Sequence, residues 1–160
     1  VNVIGREYRL QQALADVNGR YEYILIDCPP SLSLLTLNAL TAATDGILIP
    51  VQCEYLALEG LSQLSDTVTL VQKYLNPTLK IRGLMMTMYD SRTNLSRQVV
   101  EEVRRYFPCK VFSAIVPRNV RLSEAPSYGQ PINIYAPKSP GALAYKILAA
   151  ELVKGDSAKK

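Results

Sequence analysis

Histidine is absent from this 160-residue chain, which removes histidine-based catalytic triads and most zinc sites. Cysteine is scarce. Cys28, Cys53 and Cys109 are odd in number and widely spaced, which points to reduced thiols in cytosol and not to a disulfide frame or a metal cluster. No apolar run approaches the roughly 20 residues of a membrane span. No secretory leader is visible, although a truncated start would hide one. None of the eight glycines is followed by lysine, so a Gly-x-x-x-x-Gly-Lys-Ser/Thr phosphate loop is missing from these residues. The chain also opens at Val1 in mid-pattern, as a fragment does.

What is present is ordinary in bulk and specific in places. A chain of 160 residues, 48% apolar and 20% charged, suits one soluble domain with a real core. Tyr23-Ile24-Leu25-Ile26-Asp27-Cys28-Pro29-Pro30 is the most informative stretch. It reads as a short strand buried on both faces, running into an aspartate and stopped by two prolines. Open α/β sheets place their ligands at the carboxyl ends of strands. In nucleotide hydrolases that position holds a Walker B carboxylate, which anchors Mg²⁺ directly or through water. The plainer alternative is an aspartate that begins a turn or caps the next helix.

Periodicity predicts alternating helices and strands. Helices are expected over residues 6–17, from Ser31 as N-cap to about residue 43, and over about 58–75, 93–107 and 139–155. Strands are expected over 23–27, 46–51, 80–88 and 110–116, with one helical turn or two over 119–125 and a short last strand over 132–135. Leu61, Leu64, Val68, Val71 and Leu75 form one helical stripe; Leu95, Val99, Val100, Val103 and Phe107 form another. Leu143, Ile147, Leu148 and Leu152 give the last helix its apolar face. Strands separated by helices imply right-handed crossovers and a mostly parallel sheet flanked by helices. The loops after the strands carry the ligand-competent groups, and these should gather on one sheet edge. The whole chain is expected to be a single, incomplete α/β domain, with residues 156–160 a disordered tail.

Charge is concentrated. Residues 92–121 carry seven bases against two acids, a net +5 in a chain of net +4, which leaves −1 elsewhere. Such a region can bind nucleic-acid phosphates, or it can be an ordinary solvated helix face.

Four blocks then identify a family. Leu25-Ile26-Asp27-Cys28-Pro29-Pro30-Ser31 and Gln52-Cys53-Glu54-Tyr55-Leu56-Ala57-Leu58-Glu59-Gly60 resemble the ParA/Soj family of deviant Walker-type ATPases, which segregate chromosomes and plasmids. Thr87 to Leu95 and Val116 to Ser127 resemble it too, and the likeness runs over residues 21–153. The resemblance implies a P-loop NTPase-like fold whose amino-terminal strand, lysine-rich loop and switch aspartate lie outside this chain. It implies ATP and Mg²⁺ as cofactors and an ATP-bound homodimer that coats DNA without sequence preference. It also implies hydrolysis stimulated by a ParB-family partner and a cytoplasmic, nucleoid-associated protein.

By the same resemblance Asp27 is the catalytic Walker B residue that holds the Mg²⁺ water shell. Pro29 and Pro30 would stiffen the switch after it. Pro117 and Asn119 border the adenine, with Thr87 and Met88 closing the other side of the base pocket. Arg92 and Arg121 correspond to DNA-binding positions, and Arg118 lies between the two sites. Glu54 and Glu59 are open between switch and dimer-contact roles, and Cys28 is expected to be a buried small residue. The 160 residues alone are not expected to hydrolyse ATP, and an apolar edge is expected to lie exposed. Two alternatives stand beside this. One is a MinD-like membrane-cycling ATPase, which needs a carboxyl-terminal amphipathic helix to hold lipid. The other is a non-enzymatic truncated module that binds DNA or dimerises.

Overall fold

The computed structural model describes residues 5–29, 31, 33–108 and 110–157. The chain divides into two compact units, Val1–Ile47 with Ser62–Arg82, and Leu48–Leu61 with Gly83–Lys160.

In the first unit, a 3-10 turn at Arg6–Tyr8, helix α1 at Arg9–Leu14 and a second 3-10 turn at Ala15–Val17 together fill the predicted helix. Gly19, at φ 80°, supplies the left-handed residue that follows. Helix α2 spans Leu34–Ala42, and its N-cap is Ser33 rather than Ser31. The Ser31 carbonyl instead accepts a bond from Thr36 Oγ1 at 2.5 Å. Buried Asn38 ties α2 to the amino-terminal turns. Its Nδ2 donates to the carbonyls of Arg6 and Leu34, both at 2.9 Å, and its Oδ1 accepts from the Leu10 N–H at 3.0 Å. Helix α3 spans Ala57–Tyr74. Its predicted stripe packs as expected: Val68 and Val71 form a core with Leu40 and Leu79, with Leu37, Leu64 and Leu75 against it.

Residues 23–27 are not a strand. The described residues offer this segment no ladder partner, and a parallel strand exists only through the backbone bonds its neighbours supply. Tyr23, Ile24 and Leu25 are exposed on this irregular segment, which is not an edge of the sheet.

The strands are ordered β1-β2-β3, where β1 spans Ile47–Gln52, β2 Ile81–Tyr89 and β3 Val111–Pro117, all in the second unit but for Ile47, Ile81 and Arg82. Bonds from the Ile47 N–H to the Lys80 carbonyl and from the Cys53 N–H to the Thr87 carbonyl advance in the same sense along both chains, so β1 and β2 are parallel. Strands β2 and β3 are parallel with Leu84 opposite Val111 and Tyr89 opposite Pro117. Gly83 lets the sheet pass close to the Phe112 ring, which a Cβ there would meet and push aside.

Helix α4 spans Asn94–Tyr106 and is capped by Thr93, whose side chain accepts from the Ser96 N–H. Val99, Val100 and Val103 are buried on it, whereas Leu95 is exposed, contrary to the predicted stripe. Helix α5 spans Val120–Glu124, followed by a 3-10 turn at Ala125–Tyr128. Residues Ile132–Tyr135 form a short helix, α6, and not the expected strand. The Pro131 carbonyl accepts from both the Ile134 and Tyr135 N–H groups at 2.9 Å, which closes a helical turn where no strand offers a ladder.

Helix α7 spans Pro140–Ser157. The Ser139 side chain caps it by accepting from the Ala142 N–H at 3.2 Å. It does not stop at Gly155, which is not among the glycines with positive φ and so makes no left-handed cap. Asp156 and Ser157, expected to open a tail, are helical, and residues 158–160 of that expectation lie outside the described residues. The buried face of α7 is Ala144 and Leu148, which lie in a helix packed on β3, while Leu143 and Ile147 of the predicted face are exposed.

Candidate functional site

Asp27 lies in the first unit, exposed, on the extended segment that leads to α2. Cys28 beside it is exposed and not buried as expected. Burial first, and then the charge of Asp27, push the Cys28 thiol up. Pro29 is exposed, and Pro30 lies outside the described residues. A solvent-facing carboxylate is a hard oxygen donor of the kind Mg²⁺ takes through its water shell. Among the described residues no group of three or more Cys, Asp or Glu side chains is placed to hold a metal.

The remaining predicted site residues all belong to the second unit, where the parallel ladder brings them to the carboxyl edge of the sheet. Thr87 Oγ1 donates to the Val51 carbonyl at 3.3 Å, and the Thr87 carbonyl accepts from the Cys53 N–H at 2.9 Å. Met88 has φ 54°, a left-handed conformation in a strand, at a point where the register with β3 slips. A bulky residue there is a genuine outlier, and bulges of this kind re-aim side chains at strand ends. The ladder closes at Tyr89 opposite Pro117, and the Arg118 N–H donates to the Tyr89 carbonyl at 2.9 Å.

Beyond the strands a small polar scaffold fixes the loops. Ser96 Oγ accepts from the Asp90 N–H at 3.2 Å and donates to the Cys53 carbonyl at 3.3 Å, so it joins the loops after β1 and β2. Burial pushes the Cys53 thiol up to about 11, which leaves it inert at neutral pH. Asn119 is the N-cap of α5, with its Oδ1 accepting from the Arg121 N–H at 2.8 Å.

Each of the three candidate DNA-binding arginines is held by a carboxylate. Arg92 grips Asp90 with both ends of its fork, Nε to Oδ1 at 2.9 Å and Nη2 to Oδ2 at 2.7 Å. The Arg92 N–H donates to the same Oδ1 at 3.0 Å. The side-chain and backbone bonds from Arg92, assisted by the charge of Arg118, bring the Asp90 carboxyl down to about 2. Arg118 Nη2 meets Glu54 Oε1 at 2.6 Å. Arg121 Nη1 meets Glu124 Oε2 at 2.8 Å, and the Tyr135 hydroxyl donates to that same oxygen at 3.0 Å. Arg121 first and Tyr135 second hold the Glu124 carboxyl below its usual range. The Tyr135 ring stacks on Tyr128 with centroids 5.0 Å apart.

The sequence singles out the arginines and Glu54, but not Asp90 or Glu124, and none of the three pairings. Asp90 and Glu124 lie two and three residues from their partners, near enough to be found by scanning for local opposite charges. Glu54 lies 64 residues from Arg118, and only the fold joins them. Extending the basic window to residues 90–124 adds Asp90 and Glu124 and gives seven bases against four acids, a net of +3.

A family model described as "AAA domain" matches residues 1–81. The chain is 60% identical over 159 residues to the "Chromosome partitioning protein ParA" of Myxococcus xanthus, covering 99% of this chain and 56% of that protein. It is 61% identical over 152 residues to the "Sporulation initiation inhibitor protein Soj" of Bacillus subtilis, covering 95% of this chain and 60% of that protein. The chain thus spans somewhat over half the length of these curated relatives. Among solved structures, it matches cobyrinic acid a,c-diamide synthase from Mycobacterium smegmatis with bound ADP and magnesium at TM-score 0.80 and 39% identity, over 99% of this chain and 57% of that one. The septum site-determining protein MinD of Pyrococcus horikoshii, complexed with Mg-ADP, matches at TM-score 0.73 and 22% identity over 96% of this chain and 59% of that one, a likeness of fold alone.

Proposed function

The chain belongs to the ParA/Soj family of chromosome-partitioning proteins, and from that membership we propose that it is the Walker B-bearing and DNA-facing part of an ATP-dependent partitioning ATPase. Its fold is the helix-flanked, mostly parallel sheet of P-loop NTPases. The observation that carries the proposal is the extent of identity with the partitioning relatives, over matched stretches long enough to include all four motif blocks. The gathering of Thr87, Met88, Pro117 and Asn119 at one sheet edge supports a nucleotide-facing role for that edge.

Mg-ATP, when bound, supplies the phosphoanhydride and the cation that neutralises its charge. Asp27 would orient the water shell of that cation, Thr87 and Met88 would border the base on one side, and Pro117 and Asn119 would border it on the other. Catalysis in such sites is positioning plus electrostatic stabilisation of phosphoryl transfer to water. None of the eight glycines is followed by lysine, so on this reading these residues supply no phosphate loop and do not turn over ATP by themselves. Arg92, Arg118 and Arg121 serve DNA phosphates without reading bases. An ATP-bound homodimer, stimulated by a ParB-family partner, works on the nucleoid in the cytoplasm. Among the described residues no helix is long and apolar enough to cross a membrane.

Asp27→Ala in the full-length protein should lower Mg²⁺-dependent ATP turnover by at least about a hundredfold, measured as phosphate release at saturating ATP. Near-normal turnover in that variant would remove Asp27 from the mechanism.

A further inference from the structure

The three arginines at the sheet edge are exposed, the Arg92 side chain by 84%. Exposed ion pairs contribute little to folding, yet all three guanidinium groups are paired with acids. The Arg92–Asp90 pair is a two-pronged fork, the same geometry a guanidinium offers a phosphate. Asp90 also feels the charge of Arg118, whose own guanidinium meets Glu54. Arg118 and Arg121 are also paired with acids, each through one nitrogen and one oxygen rather than a fork.

We propose that Asp90 is an internal competitor of DNA phosphate: its carboxylate occupies the phosphate-binding fork of Arg92, and DNA must displace it to engage that arginine. This rests on the DNA-partitioning reading above. The counterions released on binding are those condensed on the DNA, and a carboxylate left beside the phosphate holds some of that cation density in place. Engaging phosphate then strands a negative side chain beside the DNA. The acid thereby weakens binding and flattens its salt dependence, which keeps the surface reversible. Glu54 and Glu124 act in the same way on Arg118 and Arg121.

Asp90→Asn separates charge from shape. The Asn Oδ1 can still accept the Arg92 N–H, so the turn is retained while the charge is lost. The probe is random-sequence duplex DNA, titrated over a salt series with the full-length wild type, D90N, R92A and the double variant in Mg-ATP. D90N should bind roughly three- to tenfold tighter at low salt, with a log–log salt slope steeper by about one. The gain should vanish in the R92A background, because the two side chains act as one unit. Unchanged or weaker binding by D90N overturns the competitor role, and weaker binding makes Asp90 a positioning residue for Arg92. A gain that survives in full in R92A also overturns it, since a general loss of negative charge would then explain the effect. If neither wild type nor D90N binds DNA at any salt, the DNA reading fails together with the inference. Wild-type binding without a D90N gain sinks the inference alone.

Discussion

Asn76 lies two residues beyond α3 with its side chain buried. Its Nδ2 faces the carbonyls of Leu40 at 3.0 Å, Thr41 at 3.4 Å and Ala43 at 2.8 Å. Its Oδ1 accepts from the Thr78 N–H at 3.2 Å and Oγ1 at 2.8 Å. The last carbonyls of a helix have no partners within it, and this one amide serves those at the end of α2. Removing it leaves several buried acceptors unmet. Asn76→Ala should therefore cost about 2–4 kcal/mol, read from the midpoint of urea denaturation at constant slope. A loss below about 0.5 kcal/mol would mean that water replaces the amide without penalty. In the sequence this residue marks only the end of a helix, because its partners lie 33 to 36 residues away.

At the scale of elements, the contact between α7 and β3 depends on one carboxylate. Glu151 accepts from the Ser113 N–H at 2.8 Å and hydroxyl at 2.7 Å, and from the Ala114 N–H at 3.3 Å. It satisfies the backbone of β3, which ends the order β1-β2-β3. Burial alone would raise the Glu151 carboxyl, but the donors of Ser113 and Ala114 outweigh it and hold the group below its ordinary value. A carboxyl depressed in the folded state binds fewer protons there than in the unfolded chain. Its contribution is full above the ordinary glutamate range and disappears as pH falls through the depressed folded value. Glu151→Gln should be less stable than wild type at neutral pH. The gap should narrow steadily between about pH 6 and about pH 3, followed by chemical denaturation at each pH. A gap independent of pH would show that shape, not charge, makes the contact.

The elements also show what periodicity can and cannot carry. Strands β1, β2 and β3 and helix α4 lie within a residue or two of their expected bounds, because each has a stripe or apolar run that its own length can satisfy. Residues 23–27 have as good a run, but a strand belongs to its neighbours as much as to itself. Ile132–Tyr135 alternates like a strand and folds as a helix, because Pro131 starts a turn that no ladder competes with. For the site, the strand-end rule expects Glu54, Thr87, Pro117, Arg118 and Asn119 on one edge, and the ladder closing at Tyr89 and Pro117 carries the last four there. The rule does not say that Glu54 pairs with Arg118, which needs the order of β1 and β3 about β2.

For the molecule as a whole, two surface forces oppose each other. Leu25 is 80% exposed, Leu35 70% and Tyr21 67%, which is apolar area that water disfavours. The net charge of +4 keeps copies apart. Salt screens the charge within about 10 Å at 0.1 M and leaves the apolar attraction intact. The 160-residue chain alone should therefore self-associate, and more strongly as salt rises. That is the opposite of the salt response expected of its arginines on DNA. Leu25→Lys combined with Leu35→Lys adds charge and removes apolar surface at positions with little burial to lose. The pair should keep the chain monomeric in sedimentation velocity while changing unfolding stability by less than about 0.5 kcal/mol per site. Association that persists unchanged in the double variant would move the sticky surface elsewhere, with the exposed Leu143 and Ile147 of α7 as the next residues to replace.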